Sequence, residues 1–148
     1  MADSGKDNKI PVMGMVERDG YAKMTIIGKD TFKDIVRQNV DTNAYINTDE
    51  HLGYWGLNKE FADHSMVNHG RGEYRVEDVH TNTVEGMFGL FKRMVFGIYH
   101  QVSPKHLQSY CDEMIYRYNS RKIKDTERFM QSLKQTEGRL TYKQLTGK

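Results

Sequence analysis

Cysteine is almost absent from this sequence, with Cys111 the only one in 148 residues. A single cysteine forms no disulfide within the chain, and there is no Cys-x-x-Cys pair of the kind that binds zinc. These absences exclude a disulfide-stabilised scaffold and are typical of a protein from a reducing compartment. At helical spacing Cys111 falls on an apolar face, which predicts a core position for it.

Long apolar runs are also missing. No stretch approaches the ~20 apolar residues that cross a bilayer. The first nine residues, MADSGKDNK, lack the apolar core of a signal peptide. There is no internal repeat and no low-complexity tract. We therefore expect a cytoplasmic protein.

The residues that are present suit one globular domain. The sequence is 37% hydrophobic and 28% charged, and its one Trp, nine Tyr and six Phe are enough to anchor a core. A disordered chain rarely carries so many aromatic residues. The length also fits a single core.

The formal net charge of +2 conceals an uneven distribution. Residues 117–148 hold nine Lys or Arg and three acidic residues, whereas residues 1–116 hold thirteen and seventeen. A basic segment behind an acidic body suits an anionic partner such as DNA. A solvated, partly disordered tail has the same composition, so charge alone leaves both interpretations open.

Hydrophobic periodicity and turn signals predict a mixed sheet with helices packed on it. The predicted strands are residues 10–16, 21–27, 44–48 and 65–69, with an Asp-Gly turn between the first two and a loop at 70–79. The predicted helices run from Asp30 or Thr31 to Asn39, over residues 83–96, from Ser103-Pro104 onward, and weakly over 129–133. The chain therefore divides into a polar lead-in (1–9), a domain (10–121) and a basic tail (122–148).

Two groups of polar residues are candidates for chemistry. Asp49 follows a predicted strand, and open α/β sheets bind ligands at the carboxyl ends of strands; an ordinary turn acid would look the same. Asn82, Glu85 and Lys92 share one helical face by their i, i+3 and i, i+7 spacing. That face is either functional or a solvent-facing polar stripe.

Two glycines on this helix, Gly86 and Gly89, cost on the order of 1 kcal/mol each relative to alanine. Close approach of a backbone or a phosphate is one reason to retain them. Carboxylates such as Asp49 and Glu85, with the Asn82 amide, could supply part of a Mg²⁺ site for phosphoryl transfer, in which Lys92 contacts a phosphate. A complete site needs a further carboxylate, and the first two predicted strands contain none that is suitably placed.

Five segments, in order, resemble a known group of proteins. VMGMVERDG, YINTDEHLGYWGL, VNHGRGEYR, VHTNTVEGMFGLFKR and YHQVSPKHLQSYCDEMIYRYNSRK are similar to part of a bacterial insertion-sequence transposase. The group is the DDE type, whose members usually add an N-terminal zinc ribbon. The resemblance covers residues 10–121 and implies an RNase H-like, retroviral-integrase-like α/β fold, here truncated at its N-terminus and lacking the first strand.

The resemblance also implies roles for individual residues. Asp49 matches the second acidic metal ligand, the third falls at Asn82 or Glu85, and Lys92 matches the basic residue that follows. The group's first Asp, its zinc ribbon and its DNA-binding N-terminal region have no counterpart here. The implied cofactor is Mg²⁺ or Mn²⁺, provided that the site is completed. Residues expected near DNA are His80, Arg71 and Arg93.

The resemblance therefore predicts a fragment of a DNA-cleaving and strand-transferring enzyme, located in the bacterial cytosol or nucleoid and inactive alone. Its expected partners are the DNA of the element ends and the target, together with a second copy or a full-length transposase. A non-catalytic DNA-binding or interaction module and a decaying remnant are the alternatives. The absent strand would expose a sheet edge and favour self-association. His64, His69 and His80 match no zinc pattern, and we expect them at the surface or in hydrogen bonds.

Overall fold

The structure, a computed structural model, describes residues 10–28, 31–67, 81–136, 138 and 140–147. Its strands are β1 (Val12–Val16), β2 (Ala22–Ile26), β3 (Tyr45–Thr48) and β4 (Asp63–Met66). Its α-helices are α1 (Phe32–Asn39), α2 (Asn82–Met94), α3 (Leu107–Asn119), α4 (Asp125–Lys134) and α5 (Tyr142–Thr146). A π-helical turn, Val95–Tyr99, extends α2. The α/β class expected from the sequence is confirmed.

The β1–β2 hairpin forms where the Asp-Gly signal predicts it. The two strands pair antiparallel from Val12 opposite Ile26 to Val16 opposite Ala22. Asp19 adopts a positive φ of 56° in the turn, a conformation that Asp tolerates better than most residues. The Gly20 amide closes the turn on the carbonyl of Glu17 at 3.1 Å.

The predicted single mixed sheet is wrong for the described residues. They form two separate two-stranded sheets, β1–β2 and the parallel pair β3–β4. Strand β4 begins two residues earlier than predicted, because its polar Asp63 and His64 pair with Tyr45 and Ile46 although they lack an apolar pattern. The end of that predicted strand, 68–69, and the predicted loop lie outside the described residues.

Helices cover the hairpin on both faces. On one face, Ala22 and Met24 form a core with Met87 of α2 and Cys111 of α3. Cys111 is fully buried, which confirms its predicted core position. On the other face, Met13 packs with α1 and the segment that contains Leu57 and Phe61; the full set of buried residues there is Met13, Ile35, Val36, Leu57 and Phe61.

Local signals set the helix boundaries. Thr31 begins α1 through a capping box with Asp34, one of the two caps that the sequence allows. Pro104 opens a 3₁₀ turn that leads into α3. The weakly predicted tail helix is longer than expected, ten residues from Asp125 to Lys134. In the described part of the chain, no helix is both long and apolar enough to span a membrane.

Candidate functional site

A cavity of about 1270 Å³ lies between the two small sheets. Strands β1 and β3 border it along their lengths, and residues of α1, α2, β2, β4 and the connecting segments also line it. Asp49, at the end of β3, and Glu85, in the first turn of α2, both line this cavity. Two carboxylates that are far apart in the sequence therefore line the same cavity.

Asp49 serves the local turn and also lines the cavity. Its Oδ1 accepts a hydrogen bond from the His51 amide at 3.2 Å, the turn role expected of an ordinary acid at this place. Within the described residues, its Oδ2 has no hydrogen-bond partner. The surroundings of Asp49 are therefore compatible with a turn role and with a ligand-binding role.

Aromatic side chains pack beside Asp49. The ring of His51 lies 4.5 Å from that of Phe32 and 6.1 Å from that of Tyr54, between centroids. Burial and, secondarily, the negative charge of Asp49 raise the pKa of Tyr54 to about 12. The Tyr54 hydroxyl therefore stays protonated at neutral pH and is able to donate a hydrogen bond.

Glu85 is oriented by the residue that precedes its helix. The buried Thr81 hydroxyl donates to Glu85 Oε1 at 2.7 Å, and the Glu85 amide donates to the Thr81 carbonyl at 3.0 Å. A carboxylate in the first turn also interacts favourably with the helix dipole. Sequence reasoning did not identify Thr81, although its i, i+4 spacing from Glu85 was a usable signal.

The other predicted site residues on α2 lie away from the cavity. Asn82, Lys92 and Arg93 are exposed, and the described residues that line the cavity do not include them. Lys92 is seven residues beyond Glu85, which places it roughly 10 Å further along the helix axis. Arg71, His69 and His80 lie outside the described residues.

His64 has a structural partner. Its Nε2 lies 2.9 Å from the Thr48 hydroxyl, which in turn donates to the carbonyl of Asp49. Burial lowers the pKa of His64, and the charge of nearby Asp63 opposes this only partly. The hydrogen-bonded role expected for His64 is thereby confirmed.

The described residues supply only part of a ligand set for a divalent metal ion. Among the described residues, no group of three or more His, Cys, Asp or Glu side chains is arranged to hold an ion. Mg²⁺ keeps several waters and is commonly bound through one or two carboxylates. Asp49 and Glu85 fit that limited requirement by their chemistry and by the cavity they share.

Comparison with known proteins gives one match. The model of the ISXO2-like transposase domain family matches residues 1–119. No curated protein and no solved structure matches the chain. Since the family match spans more than half of the 148 residues, the chain belongs to the ISXO2-like transposase domain family.

Proposed function

We propose that this chain acts in DNA transposition and that Asp49 and Glu85 bind a Mg²⁺ or Mn²⁺ ion at the cavity between the sheets. The supporting observation is that both carboxylates line the same cavity, although they lie on different elements. Membership of a transposase family implies an interaction with DNA. An RNase H-like arrangement and DDE chemistry, as the sequence resemblance suggests, are parts of this proposal.

The residues have distinct tasks in the proposed site. Asp49 offers Oδ2 to the ion while its Oδ1 remains in the turn. Thr81 orients the Glu85 carboxylate through its hydrogen bond to Oε1. Glu85 is preferred over Asn82 as the ligand because only Glu85 lines the cavity. When bound, a divalent ion activates the attacking water or 3′-hydroxyl, or stabilises the leaving oxygen, in phosphoryl transfer.

Lys92 and Arg93 have a separate task. Their exposed side chains in the last turn of α2 lie too far along the helix to share the ion with Glu85. We assign them to DNA phosphates beyond the reacting one. Two carboxylates are fewer than the three metal ligands that the resemblance implies. We therefore expect the chain to bind the ion but to cleave DNA only slowly.

Plasmid nicking tests the proposal. Supercoiled DNA is incubated with the chain and Mg²⁺ or Mn²⁺, and nicked circles are quantified. We expect Asp49→Ala and Glu85→Gln to remove any cation-dependent nicking. Glu50→Ala is the matched control, because Glu50 is an exposed neighbouring acid that does not line the cavity. Cation-dependent nicking by the wild type that persists undiminished in Asp49→Ala would contradict the assigned site.

Metal-independent DNA binding is the second candidate function. Residues 117–148 carry nine Lys or Arg against three acids. Some of these cations are used structurally: Arg121 stacks on Tyr118 at 4.3 Å, and Lys122 donates to the Asp19 carbonyl at 3.0 Å. Arg117 and Arg128 also form ion pairs, with Glu113 and Asp125. The remaining cations suit DNA phosphates. Binding that survives Asp49→Ala without divalent ions would favour this alternative.

A further inference from the structure

A second and smaller cavity lies between strand β4 and the segment that follows β3. Two 3₁₀ turns, Leu52–Tyr54 and Leu57–Lys59, form that segment. The cavity volume of about 340 Å³ is near the lower limit for small-molecule sites, so it suits one flat ring system. We call this space the tryptophan pocket, and the residues that line it are Trp55, Gly56, Asn58, Lys59, His64 and Met66.

The apolar part of the tryptophan pocket is exposed to solvent. Trp55 is 69% exposed, whereas Leu57, two residues further on, is fully buried. The Trp55 side chain has no hydrogen bond and no ring contact within the described part of the chain. Met66 is 51% exposed, although it belongs to strand β4. A large aromatic face and a thioether that share one concave surface are typical of a ligand site.

Gly56 gives the pocket its shape. Its φ of +88° lies in the left-handed region that residues with a side chain rarely adopt. This conformation separates Trp55 from the second 3₁₀ turn, so Trp55 and Lys59 line the same pocket from either side of the glycine in the sequence. Among the described residues, a Cβ at Gly56 would meet only the Lys33 ammonium within 4 Å, at 3.3 Å. The described chain therefore leaves the space beside this glycine open.

Positive charge is available next to the pocket. Lys59 forms no ion pair with any described residue, and the Lys33 ammonium lies beside Gly56. The acid that follows Lys59 in the chain, Glu60, is bonded at both carboxylate oxygens by Arg37, at 2.6 and 2.9 Å. The charge of Glu60 is therefore compensated, and the two lysines favour an anionic group at the pocket.

Two polar side chains complete the lining. Asn58 is exposed, and its amide, which both donates and accepts, has no partner among the described residues. The Thr48 hydroxyl gives its only hydrogen to the Asp49 carbonyl, so His64 Nε2 donates to that hydroxyl. Since burial lowers the pKa of His64, its Nδ1 carries no hydrogen at neutral pH and is an acceptor. An amide and an acceptor suit the hydrogen-bonding edge of a flat heterocycle.

We infer that the tryptophan pocket binds an unpaired base of single-stranded DNA, which stacks on Trp55 while a phosphate of the same strand contacts Lys59. Single strands are commonly bound by aromatic rings that stack on the bases and by cations that contact the backbone. A base within a duplex is stacked on both faces, so it has to leave the double helix to enter such a pocket. Asn58 and His64 contact the edge of the base.

This inference rests on the proposed function, because membership of a transposase family is the reason to expect DNA rather than another flat anion. It does not require the metal ion. The pocket is nevertheless close to the proposed metal site, because His64 lies 2.9 Å from the Thr48 hydroxyl, which lies 2.9 Å from the Asp49 carbonyl. The base in the pocket therefore belongs to a strand that passes near the reacting phosphate.

Tryptophan fluorescence provides the test, because Trp55 is the only tryptophan in the chain. The full chain is titrated with an eight-nucleotide thymidine oligomer in EDTA, which excludes any contribution from divalent ions. We expect saturable quenching by the stacked base. An abasic oligomer of the same length and charge, and a duplex of that length, should leave the emission nearly unchanged even where the basic tail binds them. Equal quenching by the thymidine and abasic oligomers would overturn the inference.

Substitution of Trp55 tests the stacking by a second readout, the anisotropy of a labelled thymidine oligomer. Trp55→Leu should weaken binding at least about fivefold, the lower limit for loss of one stacked base, whereas Trp55→Phe should bind within about threefold of the wild type. Tyr142→Leu is the matched control, because Tyr142 is 78% exposed and does not line the pocket. Thermal unfolding establishes that each variant is folded. Unchanged affinity in folded Trp55→Leu would contradict the stacking.

Substitution of Lys59 tests the phosphate contact. The binding constant of the thymidine oligomer is measured at several salt concentrations, and Lys59→Gln should make the log–log slope shallower by about 0.7, the value for one contact to a single strand. Lys122→Gln is the control, because the Lys122 ammonium already donates to the Asp19 carbonyl. The same slope in the wild type and Lys59→Gln would contradict the phosphate contact.

Other outcomes identify other ligands or separate this inference from the metal site. Quenching by thymidine monophosphate at concentrations no higher than those of the oligomer would assign the pocket to a free nucleotide and overturn the inference. Absence of quenching, together with cation-dependent nicking, would overturn it and leave the proposed function intact. Quenching in EDTA by a chain that shows neither nicking nor cation binding would support the pocket and overturn only the metal site.

Discussion

At the scale of single residues, His64 makes the stability of the chain depend on pH. Burial lowers its pKa from the ordinary value of 6.5. At pH values between 6.5 and the lower pKa of His64 in the folded protein, the unfolded chain binds a proton that the folded chain does not. The contribution to stability is therefore complete above about pH 6.5 and is lost as the pH falls through this interval.

His64→Gln removes this titration and retains a group able to hydrogen-bond Thr48. We expect the free energy of unfolding of the wild type to decrease more steeply than that of the variant as the pH falls below about 6.5. Urea unfolding at several pH values measures both curves. Parallel curves would show that His64 titrates alike in the folded and unfolded chains.

Cys111 should be chemically inert in the folded protein. Burial, reinforced by the charge of Asp112, raises the pKa of its thiol to about 11, and the side chain is fully buried. The thiolate is the reactive form, so reaction with a disulfide reagent at pH 8 must await unfolding. We expect reaction slower by a factor on the order of 10³ than in concentrated urea. Rapid reaction of the folded chain would contradict the buried position.

At the scale of elements, the glycines of α2 have two possible explanations, the close approach of another part of the chain or the close approach of a phosphate. A Cβ at Gly86 or Gly89 would meet no atom within 4 Å, so no described part of the chain requires them. We expect Gly86→Ala and Gly89→Ala each to raise the free energy of unfolding by about 0.5–1 kcal/mol. Chemical denaturation measures this effect. Weaker DNA binding by these stabilised variants would indicate that phosphates approach this face.

Two side chains of α3 bond to the edge of β2, Asn119 at Ala22 and Gln108 at Met24 and Ile26. Asn119→Ala leaves the Ala22 amide and carbonyl without their partners and should cost about 1–3 kcal/mol of unfolding free energy. Asn119→Asp keeps the acceptor and loses the donor, so its cost should be intermediate. An alanine variant as stable as the wild type would show that water satisfies this edge equally well.

The elements were largely predictable because their signals are local. The Asp-Gly turn, the Thr31 cap and the apolar stripe of α2 each lie within a few residues of what they determine. Strand β4 was misplaced because Asp63 and His64 lack the apolar alternation on which prediction relies. The roles of Gln108 and Asn119 were missed because they bond to strand residues more than eighty positions away.

At the scale of the whole molecule, long-range pairing was the part that the sequence did not reveal. The Asp-Gly turn predicts that the first two strands pair, but no local signal predicts the pairing of β3 with β4 or the separation into two sheets. The site was partly predictable: the spacing on α2 selected Glu85, Asn82 and Lys92 alike. The structure distinguishes Glu85 because it alone of these three lines the cavity with Asp49.

The uneven charge predicts how the whole chain binds DNA. If the basic residues of 117–148 contact phosphates, the binding constant should fall steeply with salt, with a log–log slope of about −0.9 per contact. Fluorescence anisotropy on duplex DNA measures this slope. Replacing Lys124 and Lys134 by Gln should make the slope shallower by about 2. An unchanged slope would show that Lys124 and Lys134 do not contact the DNA.

The central claim is that Asp49 and Glu85 form one metal site. Measuring the binding of a cation to the chain tests this claim most directly. Titration calorimetry with Mn²⁺ compares the wild type with Asp49→Asn, Glu85→Gln and the control Glu50→Gln. We predict that each of the first two weakens binding at least about tenfold, a charged ligand's contribution of roughly 1.4 kcal/mol or more, and that the control does not. Wild-type affinity in either Asp49→Asn or Glu85→Gln would show that the two carboxylates do not share an ion.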